Sequence, residues 1–373
     1  MKASALARLE GYIRAPLTAA LPPALVVKLY SSQRVRFLKW FTNERPAQCI
    51  PPAHLSRTVW GLKFRAPLFN ASGMFKNGDG YELSYLQGAG SYLAGTTSAL
   101  PRSGNAKNGI HTPFAPYPRS HSASNWLGLP NDGDQAVSDR LRKLPRYAGF
   151  PIGISVAAAP ELDERERLSR LIDSLSRYAS CGVDFIELNE SCPNTAQPED
   201  ETALRLRLEA LATKFLERRS SSKRPPVIVK FSSDTALDTV PWLLKLLIEL
   251  GFDGVNFGNS STDYSGLESF IVSQEQKLFR FFSSSFGGGV SGRPLRQKSR
   301  QLIVEASKVL TSLSPKHEFH LIRTGGIENW PDVQDSLSSG ASLAQWYTGY
   351  FENFSKYGHA LYNNFFTGRT TPG

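Results

Sequence analysis

Polar and reactive residues crowd into one short stretch, Glu187-Leu-Asn-Glu-Ser-Cys-Pro-Asn-Thr195. It closes an apolar run, Val183–Asn189, that reads as a strand. Cys192 there is a thiol at a strand end. A free thiol titrates near about 8.5, and a neighbouring cation or helix N-terminus lowers that value, making it a base or nucleophile. Pro193 stiffens the chain beside it, and Asn189 and Asn194 can each donate and accept hydrogen bonds. The same residues also suit a capped strand end holding a buried, inert cysteine. Composition alone leaves both readings open.

A second chemical group is Lys230, inside the apolar run Val227–Phe231. An ammonium buried there without a partner is costly. Aimed at a bound ring instead, it answers negative charge that builds up there during a reaction. Gly288, Gly289, Gly292, Gly325 and Gly326 let backbone N–H groups converge on an anion such as phosphate with no side chain in the way. Each pair, taken singly, is also an ordinary turn. Lys76 offers a cation, and Asn125, Asn189, Asn194 and Asn259 offer planar amides, a set suited to a ligand with a carboxylate and an imide-like ring. A lone Asn is more often a turn residue, and Asn131 is read that way.

The elements that must position these groups alternate. Strand-like runs at Pro67–Ala71, Ser91–Thr96, Pro151–Ala157, Val183–Asn189, Val227–Phe231, Gly254–Gly258, His320–Arg323 and Leu343–Tyr347 are separated by amphipathic segments, such as Leu168, Leu171, Ile172, Leu175 and Tyr178 at helical spacing. Eight β/α alternations in about 300 residues favour a parallel sheet closed into a barrel. The fold expected is α/β, a (β/α)8 TIM barrel with a small N-terminal helical extension: residues 1–58 as the extension and 59–373 as the barrel. Two long stretches, Leu100 to about Asp134 and Ser260 to about Arg296, read as irregular loops of functional length.

Composition sets the remaining bounds. The chain has 373 residues, 40% hydrophobic and 20% charged, with three scattered cysteines. No C-x-x-C occurs, a disulfide framework is not expected, and neither is a metal site. The net charge is +10, and residues 1–45 carry eight bases against two acids, a local +6. That segment is open to three readings: a solvated helix face, an anionic membrane surface and, more weakly, nucleic acid, for which no accompanying motif is found. The longest apolar stretch, Ala15–Val27, is interrupted by Pro16, Pro22 and Pro23 and falls short of the ~20 residues a span needs. No signal peptide is discerned.

The motifs in order resemble the dihydroorotate dehydrogenase family. Asn-Glu-Ser-Cys-Pro-Asn (189–194) resembles its catalytic signature, in which the cysteine, a serine in the membrane-bound class, is the base. Asn70-Ala-Ser-Gly-Met-Phe-Lys-Asn-Gly78 resembles the first-strand motif, Asn125-Trp-Leu-Gly-Leu-Pro-Asn131 the substrate loop, and Val229-Lys230 the flavin lysine. Asn259-Ser260 resembles the orotate-binding pair and Gly287-Gly-Gly-Val-Ser-Gly-Arg-Pro-Leu295 the flavin-phosphate loop. Thr324-Gly-Gly-Ile327 and Gln345-Trp-Tyr-Thr-Gly349 resemble the phosphate-binding ends of the last two strands.

The resemblance implies oxidation of (S)-dihydroorotate to orotate on FMN, within de novo pyrimidine biosynthesis. It implies Cys192 as the base that removes the C5 proton while hydride leaves C6. Substrate-binding residues are then Lys76, Asn125, Leu127, Gly128, Leu129, Asn189, Asn194, Asn259 and Ser260. Cofactor-binding residues are Ala71, Ser72, Gly73, Thr96, Ser155, Asn189, Lys230, Gly258, Gly289, Ser291, Gly292, Gly325, Gly326, Tyr347 and Thr348. Residues 194–201 are expected to act as a lid.

Features of two classes mix. Cys192 resembles the soluble class. Lys76 with Gly95 and the N-terminal segment resemble the quinone-using class, whose extra helices form an apolar tunnel; Leu25, Val26, Leu29, Val35, Leu38, Trp40 and Phe41 are candidates to line it. The family's loop Gly-Asn-x-x-Pro-Arg is here Gly104-Asn-Ala-Lys-Asn-Gly109, without the arginine. Glu190, beside the base, is expected to raise the thiol pKa. A quinone acceptor and peripheral membrane contact through residues 1–45 are expected, on the cytoplasmic side of a membrane, with soluble cytoplasmic as the alternative and no nucleic-acid partner. Competing readings are a flavin barrel acting on a related dihydropyrimidine and a non-catalytic flavin-binding scaffold.

Overall fold

The computed structural model describes residues 2–190, 201–217 and 224–367. Its first two elements are helices, α1 (Ala3–Ala20) and α2 (Pro23–Phe41). Pro23 opens α2 at a position where a missing N–H costs nothing. Among the described residues no helix is long and apolar enough to cross a membrane.

Eight strands build the centre: β1 (Leu68–Asn70), β2 (Tyr92–Thr97), β3 (Ile152–Val156), β4 (Phe185–Asn189), β5 (Val227–Phe231), β6 (Gly254–Phe257), β7 (His320–Thr324) and β8 (Leu343–Trp346). They hydrogen-bond in parallel in the order β1-β8-β7-β6-β5-β4-β3-β2. A parallel bridge between Phe75, just past β1, and Ala94 on β2 joins the two ends of that order, so the sheet closes into a barrel. Helices follow the strands: α3 (Tyr81–Gln87), α4 (Gly133–Arg142), α5 (Glu164–Cys181), α6 (Glu201–Leu211), α7 (Val240–Glu249), then α8 (Tyr264–Leu267), α9 (Ser273–Phe286) and α10 (Arg296–Leu313) after β6, α11 (Trp330–Ser338) after β7, and α12 (Thr348–Tyr357) with α13 (Leu361–Thr367) after β8.

The two stretches read as loops are more ordered than expected. The first holds two short hairpins, Ala106–Lys107 with Ile110–His111 and Phe114–Tyr117 with Ser122–Asn125. The second holds α9, and its strand Gly289–Gly292 pairs with Ser122–Asn125. Val26 and Val27 of α2, Tyr117, Leu278, Phe279, Phe282 and Val290 bury one another there, a second small core. Turn-rich composition hid the two hairpins, and the third pairing joins segments more than 160 residues apart, as in Gly289 with Asn125.

The barrel interior is layered by the two-residue period of its strands. The lowest layer is apolar: Phe69, Leu93, Phe185, Ile228, Ile322 and Leu343 pack together, plugged by Val59 and Phe64 of the hairpin Arg57–Val59/Leu62–Phe64. Two residues further up the strands the layer turns polar, with Ser155, Glu187, Lys230, Thr324 and Gln345. The mouth of the barrel lies above it.

Helices α1 and α2 dock on α12 and the barrel edge. Phe41 is fully buried, its ring 4.8 Å from that of Phe354, 5.6 Å from Phe37 and 6.3 Å from Phe75. Just beyond it, Glu44 accepts from the Ala3 N–H at 2.6 Å and meets His359 Nε2 at 2.5 Å. Replacing Phe41 with Ala is expected to cost roughly 3–5 kcal/mol. The check is a lower melting temperature together with faster proteolysis inside residues 3–41.

Candidate functional site

At the C-terminal ends of the strands lies a cavity of about 1050 Å³, its open mouth included. Strand register delivers its floor. Asn189 stands opposite Lys230, and Lys230 opposite Asn256. Thr324 stands opposite Gln345, and Trp346 opposite Asn70.

Lys230 is almost wholly buried, and its Nζ lies 3.5 Å from Glu187 Oε1 and donates to Ser72 Oγ at 3.1 Å. The other carboxylate oxygen of Glu187 accepts from Asn256 Nδ2 (2.8 Å) and Gln345 Nε2 (2.9 Å). Burial pushes the Glu187 carboxyl up, but the Lys230 charge and the hydrogen bonds from Gln345, Asn256 and Ser155 outweigh it and hold the group below the ordinary carboxylate value. Thr324 Oγ1 completes the layer, 2.9 Å from Asn256 Oδ1 and 3.0 Å from Gln345 Oε1, which share its one proton.

An amide chain rises from this floor. Asn189 Nδ2 donates to Thr96 Oγ1 at 3.0 Å, and Thr96 Oγ1 meets Ser155 Oγ at 3.0 Å. Asn259 Nδ2 approaches Asn189 Oδ1 at 3.5 Å. Asn259 is set by Ser233, whose Oγ accepts from the Asn259 N–H and donates to its carbonyl. Its Oδ1 in turn accepts from the Ser260 N–H at 2.9 Å. Asn125, Leu127 and Leu129 close one side, and Lys76 points in from the segment after β1.

The opposite end of the cavity is a glycine-lined corner at the start of α12. Gly292, Gly325 and Gly326 have φ of 99°, 117° and 72°, values a side chain disfavours. Ser291 Oγ meets Thr348 Oγ1 at 3.0 Å. Arg296 braces the corner from behind, donating to the Gly326 carbonyl and pairing with Glu328 and Asp332. The first turn of α12, which no side chain caps, and the loop glycines suit an anion.

Of the residues singled out in sequence, Ala71, Ser72, Gly73, Lys76, Thr96, Asn125, Leu127, Leu129, Asn189, Lys230, Asn259, Ser260, Ser291, Gly292, Gly325, Gly326, Tyr347 and Thr348 all line this one cavity. Four others stand one step behind it. Ser155 acts through Thr96 and Glu187, and Gly289 offers its carbonyl to Asn125 Nδ2 at 3.4 Å. The Gly128 carbonyl accepts from Arg102 Nε, and a Cβ on Gly258 would fall 1.6 Å from the Thr324 carbonyl oxygen. Cys192 and Asn194 lie outside the described residues, as does most of the expected lid.

Sequence reading missed Glu187, Asn256 and Gln345 as a supporting layer. The available signal was a carboxylate and two amides inside apolar strands at the same height as Lys230. It also missed Phe114, Leu295, Ile327 and Trp346 as lining. Glu190, expected to burden a neighbouring thiol with negative charge, is 6% exposed and takes Arg207 of α6 in two hydrogen bonds of 2.6 and 3.1 Å. That guanidinium offsets the charge.

A second cavity, about 1230 Å³ with its mouth, lies between α1, α2, α12 and the barrel edge. Leu6, Ala7, Phe37, Leu38, Trp40 and Phe351 make its apolar lining, and Phe114, Tyr347 and Thr348 line both cavities. Of the residues proposed for a tunnel, Leu38 and Trp40 line it. Leu25 and Val35 are exposed instead, while Val26 and Phe41 are buried in packing contacts.

Comparison with known proteins agrees with this geometry. Residues 54–360 match the family model described as dihydroorotate dehydrogenase. A Mycolicibacterium smegmatis protein named dihydroorotate dehydrogenase (quinone) is 28% identical over 334 residues, covering 88% of this chain and 87% of its own. A protein of the same name from Kineococcus radiotolerans is 29% identical, covering 80% and 78%. In fold, the chain resembles the crystal structure of DHODH from Eimeria tenella in complex with ferulenol, with a TM-score of 0.74, 21% identity and coverage of 91% and 89%. The ligand-free form from the same organism gives 0.73.

The buried pair makes a stability prediction. Lys230→Met leaves Glu187 ionised and unpaired, at an expected cost of roughly 3–5 kcal/mol, and adding Glu187→Gln recovers most of it. Because the Glu187 pKa is depressed in the fold, its stabilisation is complete above the unfolded carboxylate value and is lost as pH falls through the lower folded value. Denaturant titrations of the single and double variants against pH test this; equal losses in Lys230→Met and the double variant would refute it.

Proposed function

The chain belongs to the dihydroorotate dehydrogenase family, and from that premise we propose that it oxidises (S)-dihydroorotate to orotate on a bound FMN and passes the electrons to a quinone. The observation that carries this reading is the convergence in one cavity of the ammonium groups of Lys76 and Lys230, the amides of Asn125, Asn189 and Asn259, and an anion corner at Gly292, Gly325, Gly326 and Thr348.

These residues fit FMN. The glycine corner and the first turn of α12 would hold its phosphate, and Ala71, Ser72, Gly73, Thr96, Asn189 and Lys230 would hold its ring. Ser291 and Tyr347 complete that set, with Ser155, Gly258 and Gly289 supporting from behind. When bound, FMN accepts the hydride that leaves C6 of the substrate. Lys230 presents a fixed positive charge from the floor, prepaid by Glu187, where negative charge then gathers. Lys76 pairs with the substrate carboxylate. The amides of Asn125, Asn189, Asn194 and Asn259, with Ser260, orient the ring, and Leu127, Gly128 and Leu129 shape the wall. Cys192, assigned from its motif, takes the C5 proton as thiolate.

The second cavity supports a quinone acceptor, since it is mostly apolar and meets the first at Phe114, Tyr347 and Thr348. We assign residues 1–58 to this acceptor element and 59–373 to the catalytic barrel. The helices also carry exposed apolar side chains, among them Tyr12 at 77% and Trp40 at 56%, alongside Leu9, Ile13, Leu25 and Val35. Interleaved with Lys2, Arg8, Lys28, Arg36 and Lys39, they suit peripheral contact with an anionic membrane surface on its cytoplasmic side.

Anaerobic dihydroorotate is expected to bleach the flavin of the purified protein. A quinone, and neither fumarate nor NAD, is expected to restore the colour. A bleached flavin reoxidised only by fumarate or NAD would remove the quinone assignment; no bleaching at all would remove the substrate. Deleting residues 1–45 is expected to weaken partition onto anionic vesicles. Arg207→Gln uncovers the Glu190 charge, so the rate of bleaching is expected to reach half its maximum at a higher pH.

A further inference from the structure

Three helices each turn a pair of residues spaced by four into the second cavity: Glu10 and Arg14 from α1, Tyr30 and Arg34 from α2, Thr348 and Glu352 from α12. That spacing stacks the members of a pair one helical turn apart on one face. The result is a polar wall, in two rungs, on a cavity that is otherwise apolar. In the rung at the seam with the first cavity, Arg34 Nη2 donates to Tyr347 OH at 3.2 Å and its guanidinium lies 5.9 Å from the Phe114 ring centre. In the other rung, Arg14 donates through Nε and Nη2 to Glu10 at 2.7 and 2.5 Å and through Nη1 to Glu352 Oε1 at 2.8 Å, while Tyr30 OH donates to Glu10 Oε1 at 2.9 Å.

The second rung sets two carboxylates against one guanidinium. Glu10 takes the two-point contact and the Tyr30 hydroxyl; Glu352 has a single contact from Arg14. Burying two carboxylates around one guanidinium is costly, and Glu352, with the single contact, is the group that can relieve it by holding a proton. Burial raises its pKa, as do Glu10 and Glu328, against Arg14 and Lys356.

We propose that Glu352 is a proton donor to the electron acceptor reduced in this cavity, an inference that rests on the quinone reading above. A quinone becomes a quinol by gaining two electrons and two protons, of which a bound reduced flavin would supply the two electrons and one proton. The second proton leaves Glu352: its carboxyl O–H breaks, a quinol O–H forms, and the carboxylate remains beside Arg14. The Glu352 side chain is itself 16% exposed, and the carboxyl regains its proton from solvent at the cavity mouth.

The test uses full-length holoenzyme, reduced anaerobically with dihydroorotate and mixed with either a short-tailed quinone or ferricyanide, which accepts electrons without protons. In Glu352→Gln the ratio of quinone rate to ferricyanide rate is expected to fall by roughly a hundredfold, with Glu352→Asp recovering part of it. The wild-type quinone step is expected to slow as rising pH deprotonates the donor, and the Gln variant to lose that dependence. Gln is isosteric, and Arg14 keeps its Glu10 partner, so the variant retains the fold. An unchanged ratio with an unchanged pH profile overturns the proposal, as does an equal fall in both rates, which marks a purely structural role. A wild-type enzyme that reduces ferricyanide and no quinone overturns the acceptor reading, and this inference with it; a wild type that reduces quinone while Glu352→Gln keeps the wild-type ratio overturns this inference alone.

Discussion

An ammonium and a carboxylate face each other 3.5 Å apart inside the barrel, at Lys230 and Glu187, and the surrounding structure is arranged so that neither is alone. Below them the interior is apolar and packed by Phe69, Phe185, Ile228 and Ile322. Around them Asn256 and Gln345 donate to one oxygen of Glu187, Ser72 accepts from Lys230, and Thr324 holds the two amides in place. A buried ion pair of this kind contributes little net stability. What it secures is position: the Lys230 charge is fixed at the cavity floor before any ligand arrives, so no reorganisation is needed when negative charge develops above it.

Parallel strands with a two-residue period explain why so much of the site was legible in sequence. Polar or glycine-containing segments lie at or just past the strand ends, and a closed barrel has one end at which all strand C-termini meet. Residues as distant as Ser72, Asn189, Lys230 and Thr348 were assignable to one mouth because the motifs that carry the family resemblance sit at or just past strand ends. What escaped reading followed from register and long-range packing. Glu187 sits two residues below Asn189 on the same strand, inside rather than at the rim, and its partners become visible only once the alternate strands β4, β6 and β8 face one another across the closed barrel. Ser155, Gly258 and Gly289 fell one layer behind the lining for the same reason: strand position is legible to within a residue or two, whereas contact depends on how far each strand rises.

The N-terminal helices show the limit of composition more sharply. Apolar residues of α2 divide among three fates: Val26 and Val27 enter the small core over the barrel, Phe41 wedges against Phe354, and Leu38 and Trp40 line a cavity. All have the same chemistry, and only the docking angle of the helix separates them. The basic residues divide likewise. Arg14 is drawn inside by Glu10 and Glu352, while Lys39 stays in solvent.

This bears on the mixture of class features in the sequence. The loop after β2 lacks the expected arginine, and its Lys107 is exposed on a hairpin. A guanidinium nonetheless stands at the seam between the two cavities, because α2 brings Arg34 to Tyr347. On the other side of the barrel mouth, Glu190 is offset by Arg207, so the chain tolerates an acid next to its cysteine motif. In both places a cationic side chain from a different element stands near the departure: Arg34 of α2 at the seam and Arg207 of α6 beside Glu190. A motif comparison reads one segment at a time, whereas the electrostatics of a site sum over every element that reaches it.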